Sequence, residues 1–489
     1  MAYRGLKITD GAVGGDRLFL LLTPRQWLLA VFVGLALAAS LAPWYRDISP
    51  NVGYGLFILG VTVVHMRYAC QYIIPFPHIA LFMALLQYVI APWLSIQYPP
   101  LDPSYEIGQG IHRYLSYAVP VVVALALSWG LGLTKLRPPP RVQAPPSRQL
   151  LWDLDILLAL GFAASILAPR FGKTNFAFVF LLLGNLRFVG VYGRMICRGP
   201  GWFWRLALVL AVEVLLAAES AMFHTLILWA LWTFSIWIYT FKPSWRAVLL
   251  AGALSMLLIP ALQESKWQLR EVTWEDPDQQ VSMGKTLSRT SLWLSFLYQS
   301  LGHTLHGALD EDFVSDTVMR YNQGWIIYRV MQHVPDTEPY AEGETLKSAL
   351  AGSILPRFLA PNKAIVGGRA NMEKYAGVIL TETTSMNLGY AGEMYANFGL
   401  NGGVIGCACY ALAFALLFRF VCRQAFKSPL WWAIMPYIGF SALKAEDGIY
   451  EVVNWTVKSC IVVVAIILLL PAFRRALLGS KSLPSPKLK

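Results

Sequence analysis

The feature that most constrains this chain is the recurrence of apolar stretches close to twenty residues long. A helix needs about twenty apolar residues to cross the hydrocarbon core of a bilayer. Only 14% of the 489 residues are charged, whereas soluble proteins carry roughly a quarter. We therefore predict an all-α polytopic membrane protein with about twelve transmembrane helices. The predicted spans lie near 26–44, 52–66, 78–96, 113–133, 150–168, 174–192, 202–219, 221–241, 246–262, 398–419, 429–443 and 453–473.

The basic residues are distributed unevenly between the two sides of the predicted bundle. The formal net charge is +12, and about 23 Lys and Arg residues fall on the side that holds both termini, against about five in the short loops opposite. Such an excess marks the cytoplasmic side. We therefore expect a multi-pass membrane protein with both termini in the cytoplasm. The basic excess is then a topology signal, and we expect no nucleic acid among the partners.

Two polar segments divide the chain. The proline-rich, basic segment 134–149 is typical of a semi-rigid linker. It separates predicted helices 1–4, in residues 1–133, from helices 5–9, in residues 150–262. Residues 263–397 contain no bilayer-length apolar run, hold 11 Lys or Arg and 16 Asp or Glu, and lie outside in the predicted topology. Loops this long are usually functional. Residues 398–489 contain predicted helices 10–12 and a basic cytoplasmic tail.

The external segment contains two stretches with apolar residues at helical spacing, "SLWLSFLYQSLGHTLHGAL" and "DFVSDTVMRYNQGWIIYRVMQHV". We expect amphipathic helices there, lying on or dipping into the outer membrane surface. They are followed by "ILPRFLAPNKAIVGG", in which prolines and paired glycines favour a stiff loop. Arg357 and Lys363 of this loop are the residue types that bind phosphate oxygens. Ordinary contact with lipid headgroups is the alternative interpretation.

The surroundings of this loop favour the phosphate interpretation. Upstream, "MRYNQGW" contains Arg320 and Asn322, and downstream "GEMYANFGLNGG" contains Glu393, Tyr395 and Asn397. Together with "ILPRFLAPNK", this pattern resembles the Wzy-type O-antigen, or oligosaccharide repeat-unit, polymerases of bacterial envelopes. Members of that family have a similar layout, with about twelve helices and one large, late external loop.

The resemblance implies a protein of the bacterial cytoplasmic (inner) membrane and a reaction at the outer face of that membrane. Such enzymes transfer a growing glycan from undecaprenyl pyrophosphate onto the next lipid-linked repeat unit, and they build O-antigen, capsule or exopolysaccharide. Cations must then hold the pyrophosphate leaving group and stabilise its developing charge. Arg320, Arg357 and Lys363 suit this role by type and location, and Arg369, just after the glycines, is a further candidate. The implied partners are the undecaprenyl-pyrophosphate-linked oligosaccharide, membrane lipids and a chain-length regulator protein.

The reaction also needs a base that takes the proton of the acceptor hydroxyl. Glu393 is the first candidate, because it lies at the predicted mouth of a span; a structural hydrogen bond to a helix end is the alternative. Glu446 and Asp447 of "LKAEDGIYE" are further candidates, with Lys444 as another phosphate ligand and a solvated turn as their alternative. Asn322, Tyr395 and Asn397 are candidate substrate-binding residues.

Other ionisable residues do not predict a cofactor or metal. His303, His306 and Asp310 share one predicted helix face, but three such ligands without a fourth are few for a metal site, so we expect neither metal nor cofactor. Glu213 lies inside a predicted span, where an ionisable side chain is costly, and we expect it to pair internally.

Two other function classes fit parts of the sequence. An O-antigen ligase, or another glycosyltransferase acting on lipid-linked sugars, has a similar layout. A glycan transporter or flippase is the third possibility, but transporters usually have paired, symmetric halves with broken helices at the midplane. Here the polar residues concentrate in one external segment, which favours an enzyme.

Overall fold

The computed structural model describes residues 18–138, 146–171, 176–274, 283–307, 311–354, 368–381 and 386–478. Within these ranges the chain is helical, and its only strand-like pairing is an isolated bridge between Phe19 and Leu22. The α-helices are α1 Pro24–Ser40, α2 Ala42–Tyr45, α3 Asn51–Ala69, α4 Phe76–Leu85, α5 Ala91–Gln97, α6 Ile111–Leu133, α7 Arg148–Phe171, α8 Ala177–Gly184, α9 Leu186–Ile196, α10 Trp202–Ser220, α11 His224–Phe241, α12 Trp245–Trp274, α13 Met283–Gly307, α14 Glu311–Tyr321, α15 Gly324–His333, α16 Glu344–Ile354, α17 Arg369–Ala376, α18 Gly389–Ala425, α19 Trp431–Ile438, α20 Ile449–Leu469 and α21 Pro471–Leu478.

Nine helical stretches in the described ranges are long and apolar enough to cross a membrane. They are Asn51–Ala69, Phe76–Gln97, Pro103–Leu133, Arg148–Ala168, Ala177–Ile196, His224–Phe241, Trp245–Val272, Gly389–Ala425 and Ile449–Leu469. The other three predicted spans are also helical here. They correspond to α1, which has 17 residues, to α10, and to α19, which has only eight. A multi-pass membrane protein is thus supported, and the count of twelve stays a prediction.

The long helix α18 packs along α6. The two backbones approach closely where Gly132 faces Ala415, since a Cβ on this glycine would lie 2.6 Å from the alanine Cβ. Hydrogen bonds join the pair at two further levels: the Tyr117 hydroxyl donates to the Ala391 carbonyl, and the Ser128 hydroxyl to that of Ala408. Buried aromatic and aliphatic side chains surround this contact, so the position of α18 relative to α6 is fixed by packing.

The start of α18 is bent at Gly399, where φ is +68° and ψ is −161°. Glycine suits this position because it has no Cβ to clash at positive φ, and a Cβ here would also lie 2.9 Å from the Tyr340 hydroxyl. The bend separates the segment Gly389–Phe398 from the apolar remainder of the helix. It thereby directs Glu393 and its neighbours toward the segments that precede α16 and α20.

The external segment predicted from the sequence is partly folded into the bundle. The stretch 312–334 was predicted as one helix, but it forms two, α14 and α15, because the chain turns at Asn322 and Gln323. In α15, Trp325, Ile326 and Ile327 are buried in the same core as α6 and α18. The expectation that this stretch lies on the membrane surface therefore does not hold for α15. Its apolar face is covered by protein.

One buried ion pair and one partly exposed charged group lie among the helices that precede α11. The guanidinium of Arg187 pairs with Glu213 and also donates to the Ser165 hydroxyl. This confirms the internal pairing expected for Glu213. Elsewhere, Asp155 accepts from both Arg194 and Arg205. Charges that enter this part of the bundle are thus neutralised, as the cost of burying a lone charge requires.

Candidate functional site

The loop on which the phosphate interpretation first rested, with Arg357 and Lys363, lies outside the described residues. The remaining predicted cations are Arg320, Arg369 and Lys444. Two of these, Arg320 and Lys444, belong to one group of charged side chains. That group is built by α12, α14 and the turn before α20.

The turn before α20 holds three charged residues close together. Lys444 Nζ lies 2.6 Å from Asp447 Oδ1 and 3.9 Å from Glu446 Oε1. The backbone of the turn is held against the bundle, because the hydroxyl of buried Tyr88 donates to the Ala445 carbonyl. Asp447 is buried, whereas the Glu446 side chain is 39% exposed. The turn therefore presents one accessible carboxylate beside a lysine that is already paired.

Burial and charge act in opposite directions on the pKa values of this turn. Burial raises the pKa of the Asp447 carboxyl to about 6, even though Lys444 pulls it down. Burial also lowers the pKa of the Lys444 amino group, but Asp447 and Glu446 outweigh it, so the net pKa of Lys444 is raised. Lys444 thus stays charged at neutral pH. Asp447 gains a proton in mildly acidic solution.

The end of α12 adds two cations next to this turn. The helix was predicted to end near residue 262 but continues to Trp274, so Lys266 and Arg270 lie one turn apart on its surface. The guanidinium of Arg270 lies 5.8 Å from the ring centroid of Trp267 and donates to the Ala221 carbonyl. Lys266 is half-buried and near enough to Glu446 to interact with it electrostatically.

Arg320, in the last turn of α14, approaches the same part of α12. Its Cζ lies 5.8 Å from the Trp267 ring centroid, and its Nη1 donates to Gln263 Oε1 at 3.4 Å. Asp316, one turn earlier on α14, interacts with it electrostatically. Trp267 is 49% exposed. Its ring lies near one arginine of its own helix and one of α14.

We define the cation cluster as Lys266, Arg270, Arg320 and Lys444. Lys266 interacts electrostatically with both arginines, and His224, at the start of α11, interacts with Lys266, Arg270 and Lys444. In the described ranges, neither Lys266 nor Arg320 forms an ion pair with a carboxylate. Like charges repel, so a cluster of this kind favours an anion that several cations can share.

Glu393 lies inside the protein, behind the turn that holds Lys444. Its side chain is buried, and its Oε2 accepts from the backbone N–H of Ile449, the first residue of α20, at 2.8 Å. The Thr345 hydroxyl also bonds to its carboxylate. This is the helix-end hydrogen bond that the sequence left open as the alternative. Glu393 therefore fixes the start of α20, and with it the turn that holds Lys444 and Glu446.

Asn397 and Tyr395 are also buried, in the first turns of α18. The Asn397 amide donates to the Thr345 hydroxyl and to the Glu393 carbonyl, both at 2.7 Å, and its Oδ1 accepts from the Gly343 N–H. Tyr395 packs edge-on against Tyr117 with ring centroids 5.1 Å apart. Both side chains hold the start of α18 in place. Neither lies among the residues of the cation cluster.

Asn322 and Arg369 lie at helix starts elsewhere. Asn322 is fully buried; its Oδ1 accepts from the Gly324 N–H at the start of α15, and its amide donates to the Ser95 hydroxyl. Arg369 is exposed at the first position of α17, after Gly368, whose φ is +63°. Asn322 thus has a structural role in the turn between α14 and α15.

The histidines of α13 were considered for a metal site. His303 Nδ1 lies 2.8 Å from Glu264 Oε1 on α12, while Asp310 lies outside the described residues. In the part of the chain that the structure describes, no three metal-ligating side chains gather in one place. The pair instead links α13 to α12 near the cation cluster.

Sequence reasoning missed Lys266, Arg270 and His224. A signal for the first two was present: Gln263, Lys266, Trp267 and Arg270 follow the last apolar residues of the predicted span at helical spacing. If the helix is extended past residue 262, these four residues share one of its faces. His224 gave no such signal, since a lone histidine beside a predicted span has no pattern.

Comparisons of the chain with protein-family models, with characterised proteins and with solved structures give no match.

Proposed function

We propose that this protein is a membrane glycosyltransferase that joins polyprenyl-pyrophosphate-linked oligosaccharide repeat units into a surface polysaccharide. The observation that carries the proposal is the cation cluster, because α12, α14 and the turn before α20 bring four cations together next to an accessible carboxylate, Glu446. Its second support is the resemblance of "ILPRFLAPNK" and "GEMYANFG" to the repeat-unit polymerases. The protein would act at the outer face of the cytoplasmic membrane, with both termini inside.

The cations would hold the diphosphate of the donor. As the anomeric carbon–oxygen bond breaks, the electron pair leaves with the polyprenyl diphosphate, and negative charge grows on its oxygens. Donors placed in advance around a developing charge stabilise the transition state without reorganisation. Arg270 and Arg320 supply planar guanidinium groups that grip two oxygens at once, and Lys266 adds a point charge.

The acceptor hydroxyl must lose its proton as it forms the new bond to the anomeric carbon. We assign this proton to Glu446, because its carboxylate is partly exposed and adjoins the cations. Glu393 was the first candidate from the sequence, but its carboxylate is buried and already bonded to the Ile449 N–H and the Thr345 hydroxyl. In this proposal Glu393 is a positioning residue for α20 and the turn.

The test is elongation by the purified full chain in nanodiscs, supplied with a defined polyprenyl-pyrophosphate oligosaccharide. We expect a ladder of products longer than one repeat. The double variant Lys266→Gln/Arg320→Gln should lose it, and Lys347→Gln, an exposed cation of α16 outside the cluster, should keep it.

Deletion of the gene separates the competing functions. Surface glycan that stops at one repeat supports the polymerase. Full-length glycan that is no longer attached to its lipid would identify a ligase, and lipid-linked repeats that accumulate at the inner face would identify a flippase; either result would refute the proposal. An intact ladder from the Lys266→Gln/Arg320→Gln variant would refute the site.

A further inference from the structure

A second cation-rich region lies at the other end of α18. An open cavity of about 630 Å³ lies between the segment that follows α6 and the last turns of α18. Its walls combine basic and apolar side chains. They include Lys135, Arg137, Arg423 and Lys427 together with Leu136 and Phe420.

The four cations of this cavity form no ion pair with a carboxylate of the described residues. Arg194 of α9 and Arg205 of α10 behave differently, since they share Asp155. Four like charges around one space repel one another, and an anion between them would remove that cost. The cavity is therefore chemically suited to an anion.

The fold holds these cations together. Close packing of Gly132 on Ala415 brings the end of α6 onto α18, so that Lys135 and Arg137 face the last turns of the longer helix. Arg419, one turn before Arg423, donates to the Thr134 hydroxyl at 3.5 Å, and its buried Nε has no hydrogen-bond partner. Arg419 thus ties the end of α6 to the helix turn next to Arg423.

The apolar side of the cavity indicates where its anion comes from. Leu416 and Phe420 are exposed on α18, 51% and 49% respectively, and they lie one turn apart beside the basic residues. In a membrane such a surface contacts acyl chains. A molecule that covers both parts must combine an anionic group with a hydrocarbon tail.

We propose that this cavity binds an anionic phospholipid through its headgroup phosphate, with the acyl chains along Leu416 and Phe420. This site is separate from the cation cluster and does not depend on the proposed polymerase activity. By the positive-inside rule it faces the cytoplasmic leaflet. A water-soluble phosphate compound shares the headgroup chemistry but would not use the exposed apolar surface.

The experiment measures lipid retained by the purified full chain in native mass spectrometry, after exchange into phosphatidylglycerol or phosphatidylcholine. We expect phosphatidylglycerol to be retained at least several-fold more. The variant Arg423→Gln/Lys427→Gln should lose most of this preference. The control, Arg246→Gln/Arg474→Gln, removes two exposed arginines from the starts of α12 and α21 and should retain it.

Three outcomes would overturn the proposal. If the Arg423→Gln/Lys427→Gln variant retains as much phosphatidylglycerol as the native protein, the cavity is not the site. If the control variant loses as much preference as this variant, the effect is one of net charge alone. The third comes from adding inorganic pyrophosphate: saturable displacement of the lipid would assign the cavity to a soluble phosphate compound instead. Since the readout is binding, a failed polymerase assay leaves each result interpretable.

Discussion

The two cation-rich regions, the cation cluster and the cavity at the end of α18, differ in whether carboxylates lie close to their cations. In the cation cluster, Lys444 is paired with Asp447, and Glu446 lies next to both Lys444 and Lys266. In the cavity at the far end of the helix, the four lining cations form no ion pair within the described residues. A mixed set of charges offers a carboxylate base beside the cations that bind an anion, whereas a set of cations alone offers no carboxylate base.

The bundle interior supplies a third case for this comparison. Arg187 is buried, and Glu213 neutralises it within hydrogen-bonding distance. A buried guanidinium needs such a partner, because the cost of taking a lone charge out of water is several kcal/mol. Lys266 and Arg320 form no ion pair in the described residues. Their counter-charge can therefore come from outside the protein.

The largest effect should follow from breaking the interior pair. Arg187→Gln leaves Glu213 buried without a cation, and we expect the free energy of unfolding to fall by about 3–5 kcal/mol. Arg320→Gln removes an exposed cation and should change stability by less than about 1 kcal/mol. Thermal unfolding of both variants in the same detergent compares them. Equal stability losses would mean that the interior and surface cations do not differ as argued.

A loss of activity should separate the two glutamates beside the turn. We expect Glu446→Gln to lower the elongation rate on the order of 100-fold, as removal of a general base does. Glu393→Gln should cost less than about tenfold, because an amide oxygen can still accept from the Ile449 N–H. Initial rates with saturating acceptor give the comparison. The reverse order would return the base to Glu393 and leave Glu446 as a solvated residue.

The helices could largely be predicted from the sequence, because local hydrophobicity decides where they form. The predicted span at 52–66 lies within Asn51–Ala69. Helix ends were less predictable, since they depend on tertiary packing. The predicted span at 174–192 is broken between α8 and α9 at Asn185, and at 429–443 only Trp431–Ile438 is α-helical.

The candidate site was predictable only in part, for a different physical reason. The sequence indicates which residues can bind phosphate, and Arg320 and Lys444 were chosen in this way. The helical spacing places Lys266 on one face with Arg270, but it gives no sign that this face meets α14 and the turn before α20, because those contacts link distant parts of the chain. For Asn322, Asn397 and Glu393 the residue type is right for a site, but these polar groups are used to hold helix starts.

The pH dependence of anion binding should distinguish the mixed cluster from the single-sign cavity. Burial raises the pKa of Asp447 to about 6, against the pull of Lys444. Below that pH the Asp447 carboxyl is neutral and no longer offsets the charge of Lys444. The cation cluster should therefore bind inorganic pyrophosphate several-fold more tightly at pH 5 than at pH 7. The groups that act on Asp447 are Lys444, Glu446 and Glu451.

Stability should follow the same titration with a definite sign. Because the folded pKa of Asp447 is raised, its contribution to stability is fully present below the unfolded pKa and is lost as the pH rises through about 6. Asp447→Asn should remove this pH dependence of stability.

The same variant is the control for the binding experiment, because pyrophosphate itself titrates equally with both proteins. If pyrophosphate binding by Asp447→Asn changes with pH as much as binding by the native protein, Asp447 is not the titrating group.

The smallest expected effect concerns Trp267. It tests whether the arginines of the cluster must be held in position or whether their charges alone are sufficient. Arg270 and Arg320 both lie 5.8 Å from its ring centroid, and a cation–π contact at an exposed site is worth about 0.5–1 kcal/mol. Trp267→Ala keeps every charge but removes the ring beside both guanidinium groups, so substrate has to order them further. We expect KM for the lipid-linked donor to rise roughly fivefold, the equivalent of about 1 kcal/mol, with kcat nearly constant. Trp152→Ala, at an exposed position on α7, is the matched control. A fall in kcat at constant KM would mean that Trp267 acts on the reacting sugars and not through the arginines.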